Sequence, residues 1–301
     1  MAINLTFLGT ASMVPTKQRN VQSIHLEYKG EAILVDCGEG TQRQMNIAGM
    51  NRLKIKKVLI SHWHGDHVSG LIGLIQTIGS IPEPGTLEVF GPKGTKEKIK
   101  HLLKTCEFDL RIKIKVHEIN SKIVETFYEN EDYILQAVRL KHGIRCLGYS
   151  FIEKDKIKID MKKVKSLDLQ SGKWLKKIQK NETVKVKNKE ITPKEISNVE
   201  EGKKISFILD TSFCNQAIEL AKNADLLISE SVYANDLQEL AAKHHHMTAY
   251  DAAKIAEKAK VKKLILTHFS QRYKNVKVIL ADARETFKNT ETAEDFMKVK
   301  V

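Results

Sequence analysis

Four potential metal ligands fall within six residues, His62-Trp63-His64-Gly65-Asp66-His67, directly after the largely apolar run Lys57-Val58-Leu59-Ile60-Ser61. In an extended segment alternate side chains share a face. His62 and His64 can therefore grip one cation while Asp66 and His67, past a glycine, turn toward a second. Burying this loop without a cation would leave imidazoles and a carboxylate without partners, at about 1–3 kcal/mol for each unsatisfied group. The spacing points to one loop that feeds two metal ions, the arrangement a two-metal hydrolase needs.

Two ions require further ligands, each at the end of an apolar run. Tyr133-Ile134-Leu135-Gln136-Ala137-Val138-Arg139-Leu140 leads to Lys141-His142, Ile205-Ser206-Phe207-Ile208-Leu209 leads to Asp210-Thr211, and Leu264-Ile265-Leu266-Thr267 leads to His268. Nitrogen and carboxylate ligands without thiolate suit zinc or manganese, and a carboxylate is the natural bridge between two divalent ions. Asp210 is expected to bridge, with His62, His64 and His142 on the first ion and Asp66, His67 and His268 on the second.

His-x-His-x-Asp-His followed by a later His, Asp and His resembles the metallo-β-lactamase superfamily. That resemblance implies an α/β fold, a four-layer αββα sandwich with the metals at one edge of two sheets. The apolar patterning fits, with strand-like segments at 3–9, 23–28, 32–36, 57–61 and 87–90 and helix-like ones at 94–104, 214–223 and 248–260. Redox relatives carry Glu where this chain has His64, which disfavours a di-iron electron-transfer role.

The formal net charge of +13 and a pI near 9.4 favour a polyanionic partner. Pro15-Thr16-Lys17-Gln18-Arg19-Asn20, Asp36-Cys37-Gly38-Glu39-Gly40-Thr41-Gln42-Arg43-Gln44 and Thr267-His268-Phe269-Ser270-Gln271-Arg272-Tyr273 are similar to signature segments of RNase Z, which trims the 3′ trailer from precursor tRNA. Lys17 and Arg19 in a Pro-anchored loop can contact phosphates or unpaired bases at an RNA end, and Arg272 either binds the scissile phosphate or faces solvent. Family members usually carry His-Glu-Ala-Thr and, later, His-Ser-Thr; this chain has Ser229-Glu230-Ser231-Val232 and His246-Met247-Thr248. The resemblance implies that Glu230 orients His246 as general acid, and that Asp66 both binds metal and handles the nucleophile's proton. His244 and His245 are expected to face solvent.

The chain reads as one metallo-β-lactamase domain over 1–301 with an inserted basic arm at 153–203. That stretch carries 15 lysines against nine acidic residues and only two glycines, and reads as an appendage and not as part of the core. In RNase Z a projecting arm at this place clasps the body of the tRNA, and Ser171-Gly172-Lys173-Trp174-Leu175-Lys176-Lys177 resembles the segment that closes it. Cys37, Cys106, Cys146 and Cys214 have no paired motif and read as reduced, packed thiols of a cytoplasmic protein. No signal peptide and no 18-residue apolar run is found.

These readings converge on a zinc-dependent endoribonuclease that cuts precursor tRNA after the discriminator nucleotide. It would leave a 3′-hydroxyl on the tRNA and a 5′-phosphate on the trailer. The resemblance implies two Zn2+ ions, with Mn2+ as an alternative, and a homodimer. A small-molecule phosphodiesterase or arylsulfatase of the same fold would share the ligands, and a non-catalytic RNA-binding member would have lost some of them.

Overall fold

A computed structural model of the chain describes residues 2–186 and 189–301. It divides into a large unit, Met1–Tyr128, Leu135–Phe151 and Lys204–Val301, and a small one, Glu129–Ile134 and Ile152–Lys203.

The large unit is built on two seven-stranded sheets. The first runs, edge to edge, through Lys298–Lys300, Asn4–Gly9, Ser23–Tyr28, Glu31–Val35, Ile55–Leu59, Thr86–Pro92 and Lys113–Ile119. The second runs through Thr290–Thr292, Leu264–Thr267, Leu226–Glu230, Lys204–Ile208, Cys146–Glu153, Tyr133–Leu140 and Glu125–Glu129. Their central strands are apolar at consecutive positions because both faces are covered. Leu34 and Val58 pack with helices Thr41–Ile47, Leu71–Gly79 and Thr95–Leu102, while the alternate residues Ile33, Val35 and Leu59 face the other way and are equally buried. Helices Asn215–Ala221, Ala249–Lys258 and Lys277–Thr286 cover the second sheet with a core that includes Leu227, Leu264 and Leu266. Between the sheets Phe90 meets Phe127 at 5.0 Å, Tyr28 meets Phe151 at 5.5 Å, and the Tyr149 hydroxyl donates to the Ile60 carbonyl at 2.7 Å. The layers are αββα, the fold that the family resemblance implied.

Strand polarity places the site. Glu31–Val35 and Ile55–Leu59 are parallel neighbours, as are Lys204–Ile208, Leu226–Glu230 and Leu264–Thr267. Their carboxyl ends deliver Asp36, His62, Asp210, Glu230 and His268, and in open α/β sheets that end is where ligands bind. Asp36, Asp210 and His268 all have positive φ, at 58°, 23° and 59°. Such strain persists only where the surroundings over-determine it, and it clusters at functional sites.

Two glycines let the metal loop dock on the strand end beside it. The Cys37 N–H donates to the His67 carbonyl at 2.8 Å, and the Gly70 N–H donates to the Cys37 carbonyl at 2.9 Å. A Cβ on Gly70 would lie 2.1 Å from the Gly38 carbonyl oxygen, and one on Gly38 would lie 2.3 Å from that of Asp66. No side chain fits either position.

The small unit, the stretch read as an appendage, has a small core of its own. Strand Lys156–Ile159 pairs antiparallel with Ser197–Glu200, and Val184–Val186 pairs antiparallel with Lys189–Ile191. Together with helices Met161–Ser166, Leu175–Gln179 and Pro193–Ile196 they enclose Val164, Leu169, Ile178, Val184, Ile191 and Ile196. Apolar residues spaced among lysines supply a core, and Lys162, Lys165, Lys173, Lys176, Lys177 and Lys180 stay on the surface. Lys187 and Asn188, within the stretch read as the arm, lie outside the described residues. Cys37, Cys146 and Cys214 are packed, but Cys106 is exposed because it follows a helix end at the surface. Among the described residues no helix is long and apolar enough to cross a membrane.

Gly70→Ala is expected to destabilise the protein by about 2–3 kcal/mol, the upper part of the range for forced overpacking, because backbone rather than a flexible side chain blocks the new methyl. A denaturant titration with a wild-type midpoint and slope would contradict this reading of the loop.

Candidate metal centre

The structure brings together all seven side chains that the sequence nominated as ligands. His62, His64, His142 and Asp210 form one group, and Asp66, His67 and His268 a second, with each group's ligand atoms within 4.8 Å of one another. Asp210 lies between them. Its Oδ1 is 3.2 Å from His268 Nδ1 and 3.4 Å from His67 Nε2, and its Oδ2 is 3.5 Å from His62 Nε2 and 3.9 Å from His142 Nε2. One carboxylate thus offers an oxygen to each group.

Hydrogen bonding behind the imidazoles assigns their tautomers. His67 Nδ1 donates to Asp36 Oδ2 at 2.6 Å, and His142 Nδ1 donates to the His245 carbonyl at 3.0 Å. The Ser61 hydroxyl donates to Asp36 Oδ2 at 2.7 Å, which leaves its oxygen to accept from His62 Nδ1 at 3.0 Å. Each of these rings therefore turns an Nε2 lone pair inward, the second-shell arrangement that orients metal-binding histidines. His62 Nε2 then faces His64 Nδ1 at 2.8 Å, and His67 Nε2 faces His268 Nε2 at 3.1 Å. At such separations each pair of nitrogens can share either a proton or a cation. The buried atoms Asp210 Oδ1 and His268 Nδ1 have no hydrogen-bond partner. The donor set fits divalent metal.

Electrostatics agree. Burial holds the His62 imidazole well below its ordinary range, whereas the Asp210 and Asp36 carboxylates beside His67 outweigh burial and hold that ring well above it. Burial would raise the Asp210 and Asp66 carboxyls, but their histidine neighbours outweigh it and keep both ionised. Neutral imidazole and ionised carboxylate are the forms that coordinate cations, so a metal ion would take the place of the proton that Asp210 and Asp36 draw to His67.

Glu230 ties the bridging segment to His246. It is fully buried; its Oε1 accepts from the Thr211 N–H at 2.7 Å and from His246 Nδ1 at 3.0 Å, and its Oε2 from the Met247 N–H at 3.1 Å. The other ring nitrogen, His246 Nε2, lies 4.0 Å from Asp210 Oδ2. Burial lowers the pKa of His246, but the Glu230 charge and hydrogen bond, with Asp210, more than compensate and raise it to about 9. His246 is then protonated at neutral pH. A raised imidazole pKa stabilises the folded state below pH ~6.5, a contribution lost as pH rises through about 9.

A cavity of about 620 Å³ opens over these groups, bounded by Met13, Asp66, Tyr233, His246 and Arg272 among others. The Arg272 guanidinium lies over the Tyr233 ring at 5.2 Å. Lys17 is exposed and Arg19 half-buried; the Arg19 guanidinium donates to the Tyr273 carbonyl at 3.0 Å and stacks on Phe269 at 5.4 Å, so it braces the Pro15–Asn20 loop from inside. Neither lines the cavity. His244 and His245 face solvent.

Sequence reasoning missed three contributors. Asp36 ends an apolar strand just as Asp210 does, and that parallel could have marked it as the support of His67. Met13, whose N–H donates to Asp66 Oδ2 at 2.7 Å, carries no such signal. Nor does Asp295, which accepts from the Thr10 hydroxyl, the Asn20 N–H and the Gln44 amide at 2.7–2.8 Å and so anchors both ends of the Thr10–Asn20 segment.

Comparison with known proteins agrees over the whole length. Residues 3–160 match the family model described as anti-Pycsar protein Apyc1, a stretch that holds the His62–His67 loop and His142 but stops short of Asp210, Glu230, His246 and His268. The ribonuclease Z of Methanothermobacter thermautotrophicus is 40% identical over 300 residues, covering 99% of this chain and 97% of its own. That of Microcystis aeruginosa is 37% identical, covering 99% and 96%. Among solved structures, the short form of human tRNase Z superposes with a TM-score of 0.72 at 27% identity over 98% of both chains. A metallo-β-lactamase-fold protein from Bacillus subtilis, YhfI, gives the same TM-score of 0.72 at 17% identity and speaks for the fold alone. By full-length identity and by fold, with the anti-Pycsar model matching its first half, the chain belongs to the ribonuclease Z family of metallo-β-lactamase-fold proteins.

Proposed function

We propose that this chain is a metal-dependent endoribonuclease that removes the 3′ trailer from precursor tRNA. It cuts after the discriminator nucleotide to leave a tRNA 3′-hydroxyl and a 5′-phosphate on the trailer. The observation that carries the reading is the Asp210 carboxylate, with one oxygen turned to each ligand group, beside a buried Glu230–His246 pair at the same cavity. Two Zn2+ ions would be held by His62, His64 and His142 on one side and Asp66, His67 and His268 on the other, with Asp210 available to both; Mn2+ would suit the same donors. When bound, such ions lower the pKa of water toward about 7 and neutralise charge on the phosphate.

The chain's own residues supply the rest. Asp66, kept ionised and fixed by the Met13 N–H, accepts the nucleophile's proton. His246, with Nδ1 bonded to Glu230, directs Nε2 toward the cavity and gives its proton to the departing 3′ oxygen. Arg272 in the cavity wall contacts the scissile phosphate, and Lys17 contacts the RNA end on a loop that Arg19 braces. The basic small unit serves as an exosite for the body of the tRNA, and the enzyme works as a cytoplasmic homodimer. A small-molecule phosphodiesterase or arylsulfatase remains the alternative, since the ligands are common to both, and the family match that ends at residue 160 omits the proton donor.

The direct test is incubation of a 3′-extended precursor tRNA with zinc-loaded protein, mapping the cut to the nucleotide. A single cut after the discriminator is expected. Random cuts, or turnover of small phosphodiesters that precursor tRNA does not inhibit, would favour the alternative. His246→Ala should lower kcat by about 10²–10⁴ with KM little changed, because it removes a proton delivered in the transition state and no phosphate contact. Unimpaired single-turnover cleavage would remove His246 from that role. Replacing residues 156–200 by a short flexible linker should raise KM for precursor tRNA and flatten its salt dependence while cleavage of a small phosphodiester persists. An unchanged KM and an equally steep salt slope would exclude the exosite.

A further inference from the structure

Met13 combines features that neither metal binding nor proton transfer uses. It is the central residue of a three-residue turn in which the Val14 N–H donates to the Ser12 carbonyl at 2.7 Å, with φ at +65°, a strained conformation for any residue but glycine. The strain is held in place from both sides. The Ser12 N–H donates to the Phe269 carbonyl at 2.9 Å, and the Met13 N–H donates to Asp66 Oδ2 at 2.7 Å. The N–H bond explains the backbone but not the side chain, since glycine would make the same bond without strain.

The side chain is apolar, 77% exposed, and part of the wall of the catalytic cavity. Tyr233, with Arg272 stacked on it, belongs to the same wall. An exposed thioether beside a site of charged groups gains nothing from water. It does present a polarisable surface to the flat face of a ring. Unstacked bases of single-stranded RNA offer exposed ring faces on which protein side chains pack.

Resting on the nuclease reading above, we infer that Met13 is a specificity-determining residue whose side chain packs on the base of a nucleotide flanking the scissile phosphate, while its N–H fixes Asp66. Binding of that nucleotide and alignment of Asp66 then depend on one strained turn.

Steady-state cleavage by wild type, Met13→Gly, Met13→Ala and Met13→Leu tests this, with intact precursor tRNA and with precursors made abasic on either side of the cut. Loss of the side chain in the Gly and Ala variants should raise KM by about three- to tenfold, the range for a sulfur–ring contact. Leu should stay near wild type. At one of the two abasic positions the difference between wild type and Gly should vanish. Because φ is positive, Met13→Gly should also melt at a higher temperature than wild type and Met13→Ala should not. Equal KM values for all variants on intact precursor, or a KM difference that persists with both abasic substrates, overturns the inference. If wild type itself fails to cut intact precursor, the nuclease reading falls and this inference with it, a result distinguishable because it needs no variant.

Discussion

The ionised Asp210 carboxylate is the group on which the architecture of this site depends. It is 2% exposed, its Oδ1 lacks any hydrogen-bond partner, and five imidazoles and Asp66 gather around it. A buried charge of this kind is costly unless it is paired or coordinates a metal. The surrounding histidines cannot all satisfy it, because Ser61, Asp36 and the His245 carbonyl hold His62, His67 and His142 with lone pairs inward. Cations at the two foci would satisfy both the orphaned oxygen and the Nε2 atoms turned inward.

The fold exists, in this sense, to bring strand tips to one edge. Parallel strands from both sheets end together, and the residues just beyond them adopt positive φ at Asp36, Asp210 and His268. Glu230 then links the Asp210 tip, through Thr211, to His246, so that the carboxylate bridge and the proton donor belong to one hydrogen-bonded frame. On the opposite wall the Thr10–Asn20 segment is pinned by Asp295 and reaches Asp66 through Met13. The loop that bears Lys17 and Arg19 therefore shares a backbone with the support of a ligand.

Much of this was legible in the chain, and the physical reason is locality. His62 to His67 are six consecutive residues, and His142, Asp210 and His268 each end an apolar run, so the runs themselves located them without knowledge of the packing. What escaped reading was non-local or unpatterned. Lys113–Ile119 alternates charged and apolar residues as an edge strand, and Lys298–Lys300 becomes a strand only by pairing with Asn4–Thr6 across the whole chain. Helix Leu71–Gly79 is apolar on most positions and gave no period to distinguish it from a strand. The small unit's core was hidden because Val164, Ile178 and Ile196 are scattered among lysines and meet only after folding. The burdens on Asp36 and Met13 come from contacts, which spacing does not encode.

The most direct test of the central claim is metal stoichiometry. Chelator-stripped protein titrated with zinc in equilibrium dialysis should take up two ions per chain. Asp210→Ala, with fold verified by circular dichroism, should bind no more than one, and more weakly. A wild-type plateau at one ion, or two ions retained at undiminished affinity by Asp210→Ala, would contradict the shared-carboxylate centre.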